Sequence, residues 1–175
     1  MGAPPPSIID RTRHVATPSD VSTLSGLVEG DIISTRGRLT VDDGGGNTYI
    51  FHVDEWSVEQ EDGGFRINVD DGNNGKYGLE AINKKVGTSL QFAAPVDGTD
   101  AQPHLKALLD SAPVAIIDGE HSIASPLVSD FTDQVINFTN EGRLIELSNL
   151  TPMLHIKGAY TTINDYKFLG TETTE

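Results

Sequence analysis

Apolar residues fall along this chain in short runs, and the period of those runs changes midway. In residues 47–53, Tyr49, Phe51 and Val53 alternate with Ile50 and His52, the pattern of a strand with one buried face. Phe65, Ile67 and Val69 repeat it, as do Tyr77, Leu79 and Ala81. Ile32 to Thr35 and Arg38 to Val41 predict two more strands, and Trp56 is expected to close the apolar face of the 47–53 strand. The separators are Asp42 to Gly46, Asp62-Gly63-Gly64 and Asp70 to Gly75, residue types that accept left-handed backbone or bond to their own chain. Upstream, Thr17-Pro18 with Asp20 predicts a short helix whose apolar face is Val21, Leu24 and Leu27 or Val28, ended by Gly30.

Between residues 90 and 112 the period becomes helical. Leu90 and Phe92 read as a strand tip, and Val96 to Thr99 as a turn. Pro103 is tolerated only in a first helical turn, so a helix over Ala101 to Ala112 is predicted with Asp100 as its N-cap. Leu105, Leu108, Leu109 and Ala112 form one stripe against Lys106 and Asp110, and Pro113 stops the helix. Six very short apolar runs follow: Val114 to Ile117, His121 to Ile123, Gln134 to Phe138, Leu144 to Leu147, Met153 to Ile156, and Ile163 to Leu169, each bounded by turn residues. Strands this short share a core by stacking as coils of a solenoid, or by pairing as hairpins of a sandwich; spacing does not choose between the two.

Composition narrows the function classes. The chain has 175 residues, 37% of them apolar, enough for one ordinary domain or two thin units. A net charge of −14, spread along the chain, offers no basic groove for nucleic acid. Without cysteine there are no disulfides or thiolate metal sites. No run is long enough to span a bilayer, and the start, MGAPPPS, lacks the features of a signal peptide, so synthesis in a cytoplasm is expected. Its three prolines make a flexible arm the expectation for residues 1–15.

Several motifs in order carry a resemblance. They are Gly30-Asp31-Ile32-Ile33-Ser34-Thr35; Asp43-Gly44-Gly45-Gly46-Asn47-Thr48-Tyr49; Gln91-Phe92-Ala93-Ala94 with Asp97-Gly98-Thr99-Asp100; and the strand pair Val114 to Ile117 and His121 to Ile123 around Asp118-Gly119-Glu120. This succession resembles phage tailspike and tail-fibre proteins with a pectate-lyase-like right-handed parallel β-helix. Ala93 stands where the family has glycine, Val96-Asp97-Gly98 where it has Gly-Asp-Gly, Ala101 where it has a second aspartate, and His121 where it has tyrosine. The resemblance implies a mainly β fold: a β-rich virion-attachment connector over 16–86, then a capping helix and the first coils of the β-helix over 87–175. It implies a homotrimer in the virion tail, docked on a tail or baseplate protein through its N-terminal region and meeting a host surface polysaccharide through later coils. With no second cap after Leu169, the expectation is the front of a longer protein whose role here is virion attachment. The alternative is a polysaccharide lyase or glycosidase whose active site lies on later coils.

The residues themselves single out no catalytic, cofactor or metal site. His14, His52, His104, His121 and His155 lack metal-ligand spacing. Asp42-Asp43 and Asp70-Asp71 lack the loop of a calcium site and fit turn chemistry. Asp118 with Glu120, or Glu141 with Glu146, are the carboxylate pairs a glycosidase would need. Ser122, Ser125 and Ser148 have no base nearby in sequence.

Overall fold

The computed structural model describes residues 12–139, 141–147, 153–158, 160–165 and 168–169. The proline arm, Ser148 and the tail from Gly170 to Glu175 lie outside the described residues.

The front half is one five-stranded sheet. Its strands are β1 (Thr12–Val15), β2 (Ile32–Thr35), β3 (Thr48–His52), β4 (Arg66–Asp70) and β5 (Lys76–Ala81), in the order β1-β2-β3-β5-β4. β1 and β2 run parallel, and the other pairings are antiparallel. β1 falls inside the stretch expected to be a flexible arm. Its sequence, TRHV, has no readable alternation, and its order comes from pairing residue by residue with β2. Tyr49, Phe51, Ile67, Leu79 and Ala81 fill the inner face, and a 3₁₀ helix (Pro18–Thr23) packs Val21 against it. Thr17 starts that helix, its N–H and hydroxyl both donating to Asp20 Oδ2 at 2.8 and 3.0 Å.

Two expectations fail here for physical reasons. Arg38 to Val41 is a loop, because the Asp43 carboxylate gathers the N–H groups of Arg38, Leu39, Thr40 and Gly45 and bends the segment around itself. Trp56 sits on the opposite face from Tyr49 and Phe51. It lies beside His52 and above Gly78, where a Cβ would stand 3.1 Å from its Nε1. Val53, expected inside, is half exposed.

The rear half is parallel throughout. β6 (Val86–Thr88), β7 (Val114–Ile117), β10 (Val135–Phe138) and β13 (Thr162–Asn164) form one sheet in the order given. β8 (Glu120–Ile123), β11 (Arg143–Glu146) and β14 (Phe168–Leu169) form a second, and β9 (Leu127–Ser129) with β12 (Leu154–Ile156) a third. Strands consecutive in sequence visit successive sheets, and partners within a sheet lie one circuit apart, so Val114, Val135 and Thr162 share a register. These are stacked coils of a parallel β-helix, and the sandwich reading is excluded for this half. β6 and β9 are too short to show in the sequence pattern.

A partial circuit precedes the first full coil. β6 pairs with β7, Asp100 bridges to Ser122, and helix α1 (Gln102–Ser111) packs on β6 and β9. α1 therefore stands where a third-sheet strand would otherwise precede β9. Its leucines 105, 108 and 109 are buried, and a Cβ on Gly87 would lie 2.7 Å from Leu108 Cδ1. Asp100 Oδ1 accepts from Gln102 N at 3.0 Å and from Ala124 N at 2.9 Å, joining the helix start to the first coil. Leu90 and Phe92, expected as a strand tip, lie in a turn that passes through Ala93 at φ 57°.

Candidate functional site

Alternation along each short strand turns one set of side chains into the stack and the other outward. Inside lie Ala115, Ile117, Ile136, Phe138 and Leu144. Outside, residues of successive coils meet in ladders. Asn164 Nδ2 donates to Asn137 Oδ1 at 2.7 Å on the first sheet, and Arg143 pairs with Glu120 on the second. Each of these is a single rung between two adjacent strands, which lie about 4.8 Å apart.

The candidate acids do not come together as acid and base. Asp118 accepts from the Thr139 hydroxyl at 2.7 Å and ties one coil corner to the next. Glu120 is engaged by Arg143 on the outer surface. Glu141 is exposed in a turn, whereas Glu146 is buried on β11, in register with Ile123. Ser122 is buried on β8 and Ser125 is partly exposed beyond its end. Among the described residues, no group of three or more His, Asp or Glu is placed to hold a metal ion. Asp42 pairs with Arg36 at 2.5 Å, Asp70 accepts from Gly72 N, and Asp71 from Asn73 N and Gly75 N, so these acids close turns. Burial raises the Asp43 carboxyl, but the N–H donors of Thr40, Arg38, Leu39 and Gly45 outweigh it and hold the group below its ordinary range. Burial pushes the Tyr49 hydroxyl up to about 12, which keeps it a neutral core group.

Three polar residues escape sequence reasoning because each sits at an inward position whose need for a partner arises only in the stack. Gln134 Nε2 donates to the carbonyls of Leu109 and Ala112, both at 2.8 Å, and its Oε1 accepts from Ser129 Oγ at 2.6 Å. It thereby satisfies the carbonyl end of α1. Ser89 exchanges two 2.9 Å bonds with the Asp118 backbone. His121 is fully buried, with Nδ1 2.8 Å from Pro95 O and Nε2 2.9 Å from Asp118 O. His104 touches Phe92 O at 2.9 Å, while His14 and His155 are exposed. A cavity of about 320 Å³ opens where the 39–43 loop meets the 90–97 turn, walled by Leu39, Leu90, Ala93, Pro95 and Val96.

No protein-family model and no curated protein matches the sequence. Solved structures do share its fold. Tailspike protein 2 of bacteriophage CBA120, as its enzymatically active domain, matches 93% of this chain with a TM-score of 0.68 at 14% identity. A tailspike protein, gp49, of the Acinetobacter baumannii bacteriophage Fri1, described as a capsular polysaccharide depolymerase, matches 93% with a TM-score of 0.63 at 12% identity. The enzymatically active domain of CBA120 tailspike protein 4 matches 90% at 0.57 and 16%. The chain spans 24%, 34% and 23% of these three proteins respectively. Its fold is thus the parallel β-helix fold found in these phage tailspike proteins.

Proposed function

We propose that this chain is the entrance region of a tailspike depolymerase that acts on a bacterial surface polysaccharide. The observation that carries the reading is the match of nearly the whole chain to portions of domains described as enzymatically active. In this reading residues 16–86 form the connector, α1 caps a right-handed β-helix, and the outward ladders of the first coils begin the surface along which the glycan lies. A bare end of the stack would offer unpaired strand edges, and a leucine-faced helix over β6 and β9 covers one of them. Bond cleavage belongs to later coils or to clefts between copies, because the carboxylates found here are engaged in turns, ion pairs and the interior. The protein acts as a homotrimer in the phage tail, with its N-terminal region against a tail or baseplate protein.

The test is digestion of a panel of capsular polysaccharides, read as new reducing ends or unsaturated sugars. The chain of residues 1–175 is expected to release none, while the intact tailspike cleaves one glycan of the panel. Cleavage by this chain alone would overturn the placement of the active site. An intact protein that adsorbs to its host glycan and creates no chain ends would overturn the enzymatic reading.

A further inference from the structure

The turn between β4 and β5 contains the single Asn–Gly step of the sequence, Asn74-Gly75. Such a step is chemically fragile. Glycine has no side chain to shield its nitrogen, so the Gly75 amide, once deprotonated, can attack the carbonyl carbon of the Asn74 side chain. A bond forms between Gly75 N and Asn74 Cγ, the Cγ–Nδ2 bond breaks, and ammonia leaves with the proton the amide gave up. The five-membered succinimide then adds one water and opens at either carbonyl. One opening gives aspartate; the other gives isoaspartate, in which the main chain runs through the former side chain and is one carbon longer.

The fold asks for this fragile pair. Asn74 is exposed and holds φ 69°, a left-handed conformation that asparagine and glycine accept at least cost. A Cβ on Gly75 would stand 2.5 Å from Asp71 Oδ2, so the turn keeps out a bulkier and slower-reacting neighbour.

The same carboxylate restrains the reaction. Gly75 N donates to Asp71 Oδ1 at 2.9 Å, and Asp71 N donates to Gly75 O at 3.0 Å. Asn73 N donates to that Oδ1 as well, at 2.6 Å, so Asp71 grips the chain on both sides of Asn74. The attacking species is the deprotonated amide, which base-catalysed hydrogen exchange also passes through. A bond to a carboxylate opposes its formation twice: the N–H must first be released, and the anion that forms then faces a negative charge.

We propose that Asn74 is a deamidation site of this protein, kept slow by the grip of Asp71 on Gly75. Conversion puts a further anion beside Asp70 and Asp71. Isoaspartate also lengthens the chain between that grip and β5, where Lys76 pairs with Asp70 and Tyr77 with Val69. The product therefore loosens the end of the hairpin that carries Tyr77, whose ring meets Phe51 edge-on at 4.8 Å.

The test is peptide mapping by mass spectrometry after the intact chain is incubated in mildly alkaline buffer, folded and, as the reference, unfolded in guanidinium chloride. In the unfolded chain Asn74 is expected to convert ahead of every other asparagine, with the mass gain of NH replaced by O and with both products present. In the folded chain conversion should be slower by about tenfold or more, the low end of what one hydrogen bond to a charged group is worth. Asp71→Ala should return most of that factor. Asp70→Ala removes a turn carboxylate that bonds Gly72 N, and it should leave the folded rate unchanged. Amide protection at Ile67, in the core of β4, certifies that each variant folds; if Asp71→Ala loses it, Asp71→Asn, which keeps the side chain's shape and drops its charge, is read in its place. Equal rates at Asn74 in the folded and unfolded wild type, or a folded Asp71 variant no faster than the wild type, would overturn the proposal.

Discussion

The front sheet, with strands of four to six residues, and the coil stack, with strands of two to four, close their turns by different means. In the front sheet a turn is satisfied by a carboxylate a few residues away. Asp43 takes four backbone donors, and Asp62 Oδ1 accepts from Gly64, Phe65 and Arg66. In the stack a corner is satisfied by the neighbouring coil: Thr139 N donates to Ile117 O, Arg143 N to Gly119 O, and Leu147 N to Ile123 O. Gly142 shows how close those coils approach, since a Cβ there would stand 2.1 Å from Ile117 O. Local closure lets the front sheet tolerate damage one turn at a time, whereas borrowed closure makes each coil depend on the last. The two halves still share one core, through Phe65 against Phe92 at 5.2 Å and through Phe65 against Gly87, where a Cβ would stand 3.1 Å from Phe65 Cζ.

The severest way to break this comparison is Leu108→Ala. It empties the contact between α1 and β6 and is expected to cost about 2 to 5 kcal/mol. Because the core is continuous, far-UV circular dichroism and fluorescence of Trp56, the single tryptophan, should melt together at a lower temperature. Two separate transitions would mean that the halves fold independently.

Gln134→Ala should come next. It leaves two helix carbonyls and a buried serine hydroxyl without their partner, at about 1 to 3 kcal/mol for such a group. Its signature is faster amide exchange in β9 and β10 than in β3. Uniform loss of protection across both halves would contradict dependence of coil on coil.

Asp43→Ala tests local closure, with an expected loss of about 1 kcal/mol, the scale of a lost cap. The Asp43 carboxyl is depressed on folding, so its contribution is complete above the ordinary aspartate range, about pH 4, and disappears as pH falls through the folded value. Acid titration of thermal stability should therefore be shallower in the variant. An unchanged profile would remove Asp43 from the account.

The smallest effect should come from Ala93→Gly. Ala93 holds φ 57° at the junction, a left-handed conformation that costs a residue with a Cβ roughly 1 to 2 kcal/mol, partly offset by the freedom glycine gains when unfolded. The melting temperature should rise by a degree or a few, and a fall would show that the Ala93 methyl group matters more as a wall of the junction cavity than as a source of strain.

Much of the fold was legible in the residues, and the reasons for the remainder are specific. Tyr49, Phe51, Ile67 and Leu79 were readable as an inner face because alternation fixes which side a strand buries. Leu105, Leu108 and Leu109 were readable as a helix face for the same kind of reason. β1, β6 and β9, of four, three and three residues, were not, since a strand that short owes its order to a partner distant in sequence. Trp56 was placed on the wrong face because a loop residue has no period to follow.

Sequence by itself determined where the chain turns, which faces are apolar, where the helix lies and in what order the junction motifs come. These are properties of local dihedral preference and of hydrophobic period, both carried by neighbouring residues. Tertiary structure alone decided that Glu120 meets Arg143 and Asn137 meets Asn164, and that Gln134, Ser89 and His121 fasten one circuit to another. Those pairings join residues separated by a coil or more, and the hydrogen bonds that fix them exist only once each strand has its neighbour.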